Sequence, residues 1–93
     1  MDELYLYARV GCHLCDDTRR AIVHLLADRT AAGLPSPTLV ERDIDTDEAW
    51  QRAFMTTIPV IELGDQRLEL ATSATRIRRF LADTLDVPAA ARG

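Results

Sequence analysis

The stretch that decides the fold is LYLYARVGCHLC, residues 4–15. Its opening segment, residues 4–8, is a continuous apolar run, which is typical of a strand whose two faces are both covered. Gly11 permits a sharp turn, and Cys12 and Cys15 follow at the start of a helical pattern. Two thiols therefore lie where a strand ends and a helix begins.

The helix that follows is predicted over residues 13–32, because its apolar side chains recur at a spacing that forms one stripe. The stripe consists of Leu14, Ala21, Ile22, Leu25 and Leu26. Gly33 and the two prolines after it prevent continuation of the helix. Residues 38–44 look like a second strand, and the long helical connection favours a right-handed crossover with parallel pairing.

The second half of the chain predicts a short helix, two short strands and a final helix. The predicted elements are a helix over 47–54, strands over 58–63 and 67–70, and a helix from Thr72 or Ser73 to about Val87-Pro88. Gly64-Asp65 is a turn dipeptide, so the two strands should pair antiparallel. The order β-α-β-(α)-β-β-α predicts an α/β fold with a four-stranded mixed sheet flanked by helices. We expect one domain over 1–88 and a flexible tail over 89–93.

Composition and charge exclude several classes of protein. With 93 residues and 47% hydrophobic content the chain suits one modest core, and no stretch is apolar enough to cross a membrane. The 15 acidic residues outnumber the 11 basic ones, which argues against a nucleic-acid partner. The chain opens without a basic leader or a cleavable apolar segment, so we expect a cytoplasmic protein. In a reducing cytosol, two cysteines three apart are typical of catalysis or metal binding.

The spacing and position of Cys12 and Cys15 predict reversible dithiol chemistry. Residues three apart at a helix start lie on neighbouring points of one face, within reach of a disulfide. The unpaired N–H groups and positive dipole end of the helix lower a thiol pKa from about 8.5 toward the range of roughly 3.5 to 7.5. Arg9 and His13 are candidate cations beside Cys12, and the two aspartates after Cys15 oppose them. We expect a net lowering of the Cys12 pKa.

Thr57-Ile58-Pro59 opens the third predicted strand, where the missing N–H of proline weakens pairing. A cis Ile58–Pro59 bond would turn the Ile58 backbone toward the cysteines, exposing its N–H and C=O to an extended substrate. The alternative is a trans proline that opens an edge strand. The Cys12–Cys15 pair favours the first interpretation.

A metal site is the other use of a Cys-x-x-Cys pair. His13 and His24 are separated by eleven residues of helix, about 16 Å at 1.5 Å per residue, so they cannot ligate one ion together. We expect no metal in the monomer. A dimer that shares a metal or an iron–sulfur cluster through Cys12 remains an alternative.

The whole arrangement resembles the thioredoxin fold over residues 3–85, and its glutaredoxin branch most closely. YARVGCHLCD at 7–16, with DID at 43–45 ahead of IPV at 58–60, is similar to the small glutaredoxin-like proteins of bacteria. The resemblance implies that Cys12 is the nucleophile, Cys15 the resolving thiol and Pro59 the cis proline. Arg9 stands where glutaredoxins usually carry a basic residue that holds glutathione or activates the thiol.

The chain departs from the glutaredoxin pattern at two places. His13-Leu14 stands where Pro-Tyr is typical, and Leu70-Ala71-Thr72-Ser73 replaces the Gly-Gly-x-Asp run that grips glutathione. The hydroxyls of Thr72 and Ser73 could meet a carboxylate at the helix N-terminus, or could cap the helix. The candidate substrate-binding residues are Arg9, His13, Thr57, Ile58, Pro59, Thr72 and Ser73.

The resemblance implies a thiol-disulfide oxidoreductase that cycles Cys12 and Cys15 and transfers two electrons to protein disulfides or to small-thiol mixed disulfides. No cofactor is expected to be required, with glutathione or another low-molecular-weight thiol as the candidate reductant. We expect a monomer with neither a nucleic-acid nor a membrane partner. The alternative is a non-catalytic docking module, or the dimeric cluster carrier.

Overall fold

The computed structural model describes residues 2–86, and its elements follow the predicted order. They are β1 (Glu3–Ala8), α1 (His13–Ala31), β2 (Thr38–Asp43), a 3-10 turn (Ile44–Thr46), α2 (Glu48–Phe54), β3 (Val60–Leu63), β4 (Gln66–Leu68) and α3 (Ala74–Leu85). The predicted end of the last helix near Val87-Pro88 and the predicted tail over 89–93 lie outside the described residues.

The four strands form one mixed sheet in the order β2-β1-β3-β4. β1 pairs parallel with β2, because the crossover through α1 returns the chain to the same end of the sheet. β3 pairs antiparallel with both β1 and β4. The β3–β4 turn uses Gly64 at a positive φ of 61°, a conformation that tight hairpins require and glycine adopts freely. The predicted mixed sheet and hairpin are confirmed.

Alternation along β1 divides the interior into two cores, since successive side chains of a strand point to opposite faces. Leu4 and Leu6 face the larger core, which is completed by α1 and α3. Tyr7 faces a smaller core beneath α2, where it packs with Phe54 at a ring-centroid distance of 4.4 Å. Tyr7 and Phe54 therefore serve packing in this smaller core.

Two strand boundaries differ from prediction by two residues each. β3 begins at Val60 rather than at residue 58, because the Ile58 N–H donates to the Phe54 carbonyl and proline 59 has no N–H to give. β4 ends at Leu68, and Leu70 adopts a positive φ of 49° that no strand tolerates. The short β4 leaves residues 69–73 as a loop that leads into α3.

A buried cation joins the far ends of the two long helices. Arg29 on α1 is 8% exposed, and its guanidinium donates to both carboxylate oxygens of Asp86, at 2.5 and 3.2 Å, just after α3. The hydrogen bond from Arg29 holds the pKa of Asp86 below its usual range. This ion pair stabilises the packing of α1 and α3 at the end opposite the cysteines.

Candidate redox site

Cys12 and Cys15 are joined by a disulfide at the N-terminus of α1, with their Cα atoms 5.2 Å apart. Cys12 is the N-cap residue, with extended backbone angles, and Cys15 lies in the first helical turn. The Cys12 residue is half-buried, whereas Cys15 is fully buried in the larger core. The predicted disulfide reach is confirmed, and the two sulfurs differ in their access to solvent.

A tight turn brings Cys12 to the helix start. The Cys12 N–H donates to the Arg9 carbonyl at 3.2 Å, which closes a turn over Val10 and Gly11. Gly11 has a φ of 84°, in the left-handed region that favours glycine. The sharp turn inferred from Gly11 is therefore what connects β1 to α1.

The Cys12 sulfur occupies the position that a capping oxygen takes in most helices. The Cys15 N–H donates to Cys12 Sγ at 3.1 Å. The first N–H groups of a helix have no intrahelical acceptor, and a donor aimed at sulfur stabilises negative charge on it. The geometry is thus suited to a thiolate at Cys12 when the disulfide is reduced.

Arg9 is directed to a carboxylate that the sequence analysis did not assign to it. Its Nε and Nη2 donate to the Asp45 carboxylate at 2.9 to 3.1 Å, and the Gln51 amide from α2 donates to the same carboxylate. The hydrogen bond with Arg9 holds the pKa of Asp45 below its usual range, and the pKa of Arg9 is raised in return. Within residues 2–86, no hydrogen bond joins the Arg9 side chain to Cys12. In the sequence, the DID segment at 43–45 is the feature that could have identified Asp45 as the partner of Arg9.

His13 and the first aspartate after Cys15 have different surroundings. His13 is the first helical residue, and its exposed imidazole makes no hydrogen bond within the described part of the chain. Asp16 accepts from Arg19 at 2.8 Å, and this bond lowers the pKa of Asp16. Arg19 also pairs with Glu41 on β2. The negative charge of Asp16 therefore already has a cation beside it.

The segment 57–59 lies beside the 69–73 loop, and the Ile58–Pro59 peptide is cis. The Leu70 N–H donates to the Thr57 carbonyl at 2.9 Å, and the Ala71 N–H donates to the Pro59 carbonyl at 2.8 Å. The Ile58 N–H donates to the Phe54 carbonyl. The expectation that this N–H is exposed to substrate is therefore wrong. Among residues 2–86, the Ile58 carbonyl accepts no hydrogen bond.

The position of Pro59 also differs from the alternative interpretation, in which a trans proline opens an edge strand. β3 lies between β1 and β4, so Pro59 precedes a central strand rather than an edge strand. The Pro59 side chain is fully buried, and its carbonyl already has a donor in Ala71. Since proline gives no N–H to the ladder, pairing by β3 starts only at Val60.

Thr18 connects this loop to the cysteine helix and was missed by the sequence analysis. Its side chain is 2% exposed, and its hydroxyl donates to the Ala71 carbonyl at 2.6 Å. Thr18 lies one turn beyond Cys15 on the buried face of α1. In the sequence, a polar residue on the apolar stripe of the helix is the feature that could have identified Thr18. The bond holds the 69–73 loop against the second turn of α1.

Ser73, not Thr72, is the cap of α3. The Ser73 hydroxyl oxygen accepts from the Arg76 N–H at 3.3 Å, whereas the exposed Thr72 side chain makes no hydrogen bond within residues 2–86. The Thr57 hydroxyl donates weakly to the Phe54 carbonyl at 3.4 Å. The structure therefore gives Ser73 a structural partner and leaves the Thr72 hydroxyl open to solvent.

A cavity of about 480 Å³, lined by both charged and apolar side chains, lies on the β2 side of the cysteine turn. Its lining includes Arg9, Val10, Gly11, Asp16, Arg19 and Glu41. In this lining, Arg9 pairs with Asp45, and Arg19 pairs with both Asp16 and Glu41. The apolar side chains of Leu14, in the first turn of α1, and of Leu70, in the 69–73 loop, are about half exposed.

Residues 2–86 contain no cluster of three or more His, Cys, Asp or Glu side chains placed to hold a metal ion. No helix in that range is long and apolar enough to cross a bilayer.

Comparisons with known proteins agree with this geometry. The profile of the glutaredoxin-like domain (DUF836) matches residues 3–82. An X-ray structure of a structural-genomics target protein from X. campestris is similar, with a TM-score of 0.68 and 28% identity, and covers 91% of this chain and 99% of its own. The structure of a malarial protein has a TM-score of 0.65, 16% identity and coverages of 89% and 96%. No curated protein matches the chain significantly.

The profile match and the solved structures confirm the predicted thioredoxin-type fold and the glutaredoxin-like resemblance. The Cys12–Cys15 disulfide at the start of α1, together with the family match, supports a thiol-redox role in general.

Proposed function

The chain belongs to the glutaredoxin-like domain family, and we propose that it is a thiol-disulfide oxidoreductase that reduces disulfides with the Cys12–Cys15 pair. The observation that carries the proposal is the asymmetry of the pair. Cys12 is the more exposed sulfur and receives the Cys15 N–H, while Cys15 is fully buried beneath it. An accessible, stabilised thiolate beside a second thiol is what disulfide exchange requires.

In the first step, the Cys12 thiolate attacks one sulfur of the substrate disulfide. A bond forms between Cys12 and that sulfur, the substrate S–S bond breaks, and the departing thiolate takes a proton from water. The helix N-terminus stabilises the attacking anion through the Cys15 N–H, and the helix dipole adds to this. The product is a mixed disulfide on Cys12.

In the second step, Cys15 loses its proton and attacks the sulfur of Cys12. The mixed disulfide breaks, the second substrate thiol leaves, and the Cys12–Cys15 disulfide forms. Two electrons and two protons have then passed to the substrate. The 5.2 Å separation of the Cα atoms suits this closure without movement of the helix.

A two-electron reductant must return the pair to the dithiol form. We propose glutathione or another low-molecular-weight thiol for this role, with protein disulfides or small-thiol mixed disulfides as substrates and the cytoplasm as the compartment. No further cofactor is required by this chemistry. The monomer contains both sulfurs that the cycle needs.

The other candidate residues are assigned by their positions around the pair. The exposed imidazole of His13 and the open hydroxyl of Thr72 are available to a bound thiol. The Ile58 carbonyl accepts from a substrate N–H, and Thr57 and Pro59 hold that carbonyl in place through their bonds with the 69–73 loop. Arg9 supports the cysteine turn through its own carbonyl, while its guanidinium binds Asp45.

The proposal is tested with Cys12→Ser and Cys15→Ser variants in single-turnover mixing of the reduced protein with 2-hydroxyethyl disulfide. Cys12→Ser should abolish reduction, and Cys15→Ser should accumulate a mixed disulfide on Cys12 that mass spectrometry detects. The rate of alkylation of Cys12 in the Cys15→Ser variant, followed across pH, should have its midpoint below about 8.5, the ordinary thiol value.

Val23→Ser is the control, because Val23 is exposed on α1 and touches none of these groups. It should behave as the wild type in every assay. Full activity in both cysteine variants would refute the enzymatic proposal. An anaerobically purified dimer that loses bound iron when Cys12 is replaced would favour the cluster carrier instead.

A further inference from the structure

We propose that Leu14 and Leu70, here called the leucine pair, bind an apolar side chain next to the reacting cysteine of an oxidised protein substrate. This inference rests on the proposed function and names its substrate class. The reaction is the same exchange, in which the dithiol is oxidised and the protein disulfide is reduced, so no additional reactant is needed.

The position of Leu14 follows from the helix geometry. Residues four apart lie on one side of a helix, and Leu14 precedes Thr18 by four. The Thr18 hydroxyl donates to the Ala71 carbonyl at 2.6 Å, so this side of α1 faces the loop that carries Leu70. Leu14 itself stands between the two cysteines and is 54% exposed. Its side chain is therefore available beside Cys12.

Leu70 is exposed in a conformation that leucine rarely adopts. Its φ is 49°, and its side chain is 48% exposed, so it contributes little to the core. The loop backbone is fixed there by the bonds of Leu70 to Thr57 and of Ala71 to Pro59. Strained residues and exposed apolar side chains concentrate at binding sites. The leucine is thus presented to solvent next to the 57–59 segment.

A backbone acceptor lies in the same place. The Thr57 and Pro59 carbonyls are taken by the loop, whereas the Ile58 carbonyl between them accepts nothing within residues 2–86. An extended peptide can donate one N–H to such a carbonyl while an adjacent side chain packs on an apolar surface. One acceptor beside two leucines fits a peptide segment.

The charges around the site favour an apolar peptide over an anionic thiol. Glutathione carries two carboxylates, and the nearby cations Arg9 and Arg19 are already paired with carboxylates. Arg76 is the cation that contacts the 69–73 loop, where its Nη1 donates to the Leu70 carbonyl at 3.2 Å. It carries no ion pair within the described residues. Glutathione would therefore compete with the peptide through a contact with Arg76, and the test includes an Arg76→Gln variant.

The test uses the reduced protein in single-turnover mixing with two disulfide-linked peptide dimers. The peptides are identical except that Leu or Asp precedes the cysteine. Oxidised glutathione and 2-hydroxyethyl disulfide are measured in parallel. We expect the Leu peptide to be reduced about tenfold faster than the Asp peptide, the size of effect expected from burying a leucine side chain in part.

Leu14→Ser and Leu70→Gly should each slow reduction of the Leu peptide by roughly three- to tenfold and leave 2-hydroxyethyl disulfide unaffected. Glycine suits the φ of residue 70, and Leu70→Asn is a second variant that also tolerates it. Val23→Ser is the matched control, because Val23 lies on the same helix and is also 54% exposed. It should change none of the rates.

Equal rates for the two peptides, with 2-hydroxyethyl disulfide still reduced, would overturn the inference and leave the proposed function intact. A preference for oxidised glutathione that Arg76→Gln removes and the leucine variants do not would overturn it too, in favour of an anionic small thiol. If none of the disulfides is reduced, the proposed function itself fails.

Discussion

Replacing Ser73 with alanine separates a capping role from a substrate-binding role. The Ser73 hydroxyl oxygen accepts the Arg76 N–H at 3.3 Å, and its backbone has the extended angles of an N-cap, with φ −108° and ψ 123°. Loss of a serine cap costs about 0.5 to 2 kcal/mol in the free energy of unfolding. Since 3.3 Å is a long hydrogen bond, we expect about 1 kcal/mol for Ser73→Ala.

That loss should lower the melting temperature by about 4 to 8 °C for a domain of this size. The assay is thermal unfolding of the oxidised protein followed by far-ultraviolet circular dichroism. Thr72→Ala is the matched control, because the neighbouring hydroxyl is exposed and caps nothing. Its free energy of unfolding should change by less than about 0.5 kcal/mol. Well below the transition, Ser73→Ala should reduce 2-hydroxyethyl disulfide at the wild-type rate.

A larger loss of stability in Thr72→Ala than in Ser73→Ala would refute the capping assignment. An unchanged melting temperature in Ser73→Ala, combined with slower reduction of oxidised glutathione, would instead show that this hydroxyl serves the substrate. The two measurements therefore distinguish the alternatives that the sequence left open at the start of α3.

The remaining predictions concern two ion pairs. Because Arg29 lowers the pKa of Asp86, the pair stabilises the fold fully above the ordinary carboxyl pKa near 4 and loses this effect as the pH falls through the lower folded value. Asp86→Asn should thus lower the free energy of unfolding in urea by about 1 kcal/mol at pH 7 and by almost nothing below about pH 2. An equal loss at both pH values would contradict the pairing. Asp45→Asn should release the Arg9 cation and speed alkylation of Cys12 at pH 7 in the reduced protein, whereas an unchanged rate would mean that the Arg9 charge does not reach the sulfur.

Local signals in the sequence determined the cysteine site and the order of the elements. The apolar run of β1, the freedom of Gly11 and the stripe of α1 each act over a few residues, so pattern alone placed Cys12 at the helix start. The Gly64-Asp65 turn acted in the same way for the β3–β4 hairpin. Such features are predictable because the interactions that enforce them lie within one turn or one hairpin.

Tertiary structure decided the partners of the side chains and backbone groups around that site. Arg9 found Asp45 and Thr18 found Ala71, which are 36 and 53 residues distant in sequence. The Ile58 N–H donates to the Phe54 carbonyl, and Leu70 has a left-handed backbone. Both features likewise depend on how the 57–59 segment and the 69–73 loop pack against α1. No periodic pattern encodes these contacts, because each depends on segments that meet only when the sheet and helices have assembled.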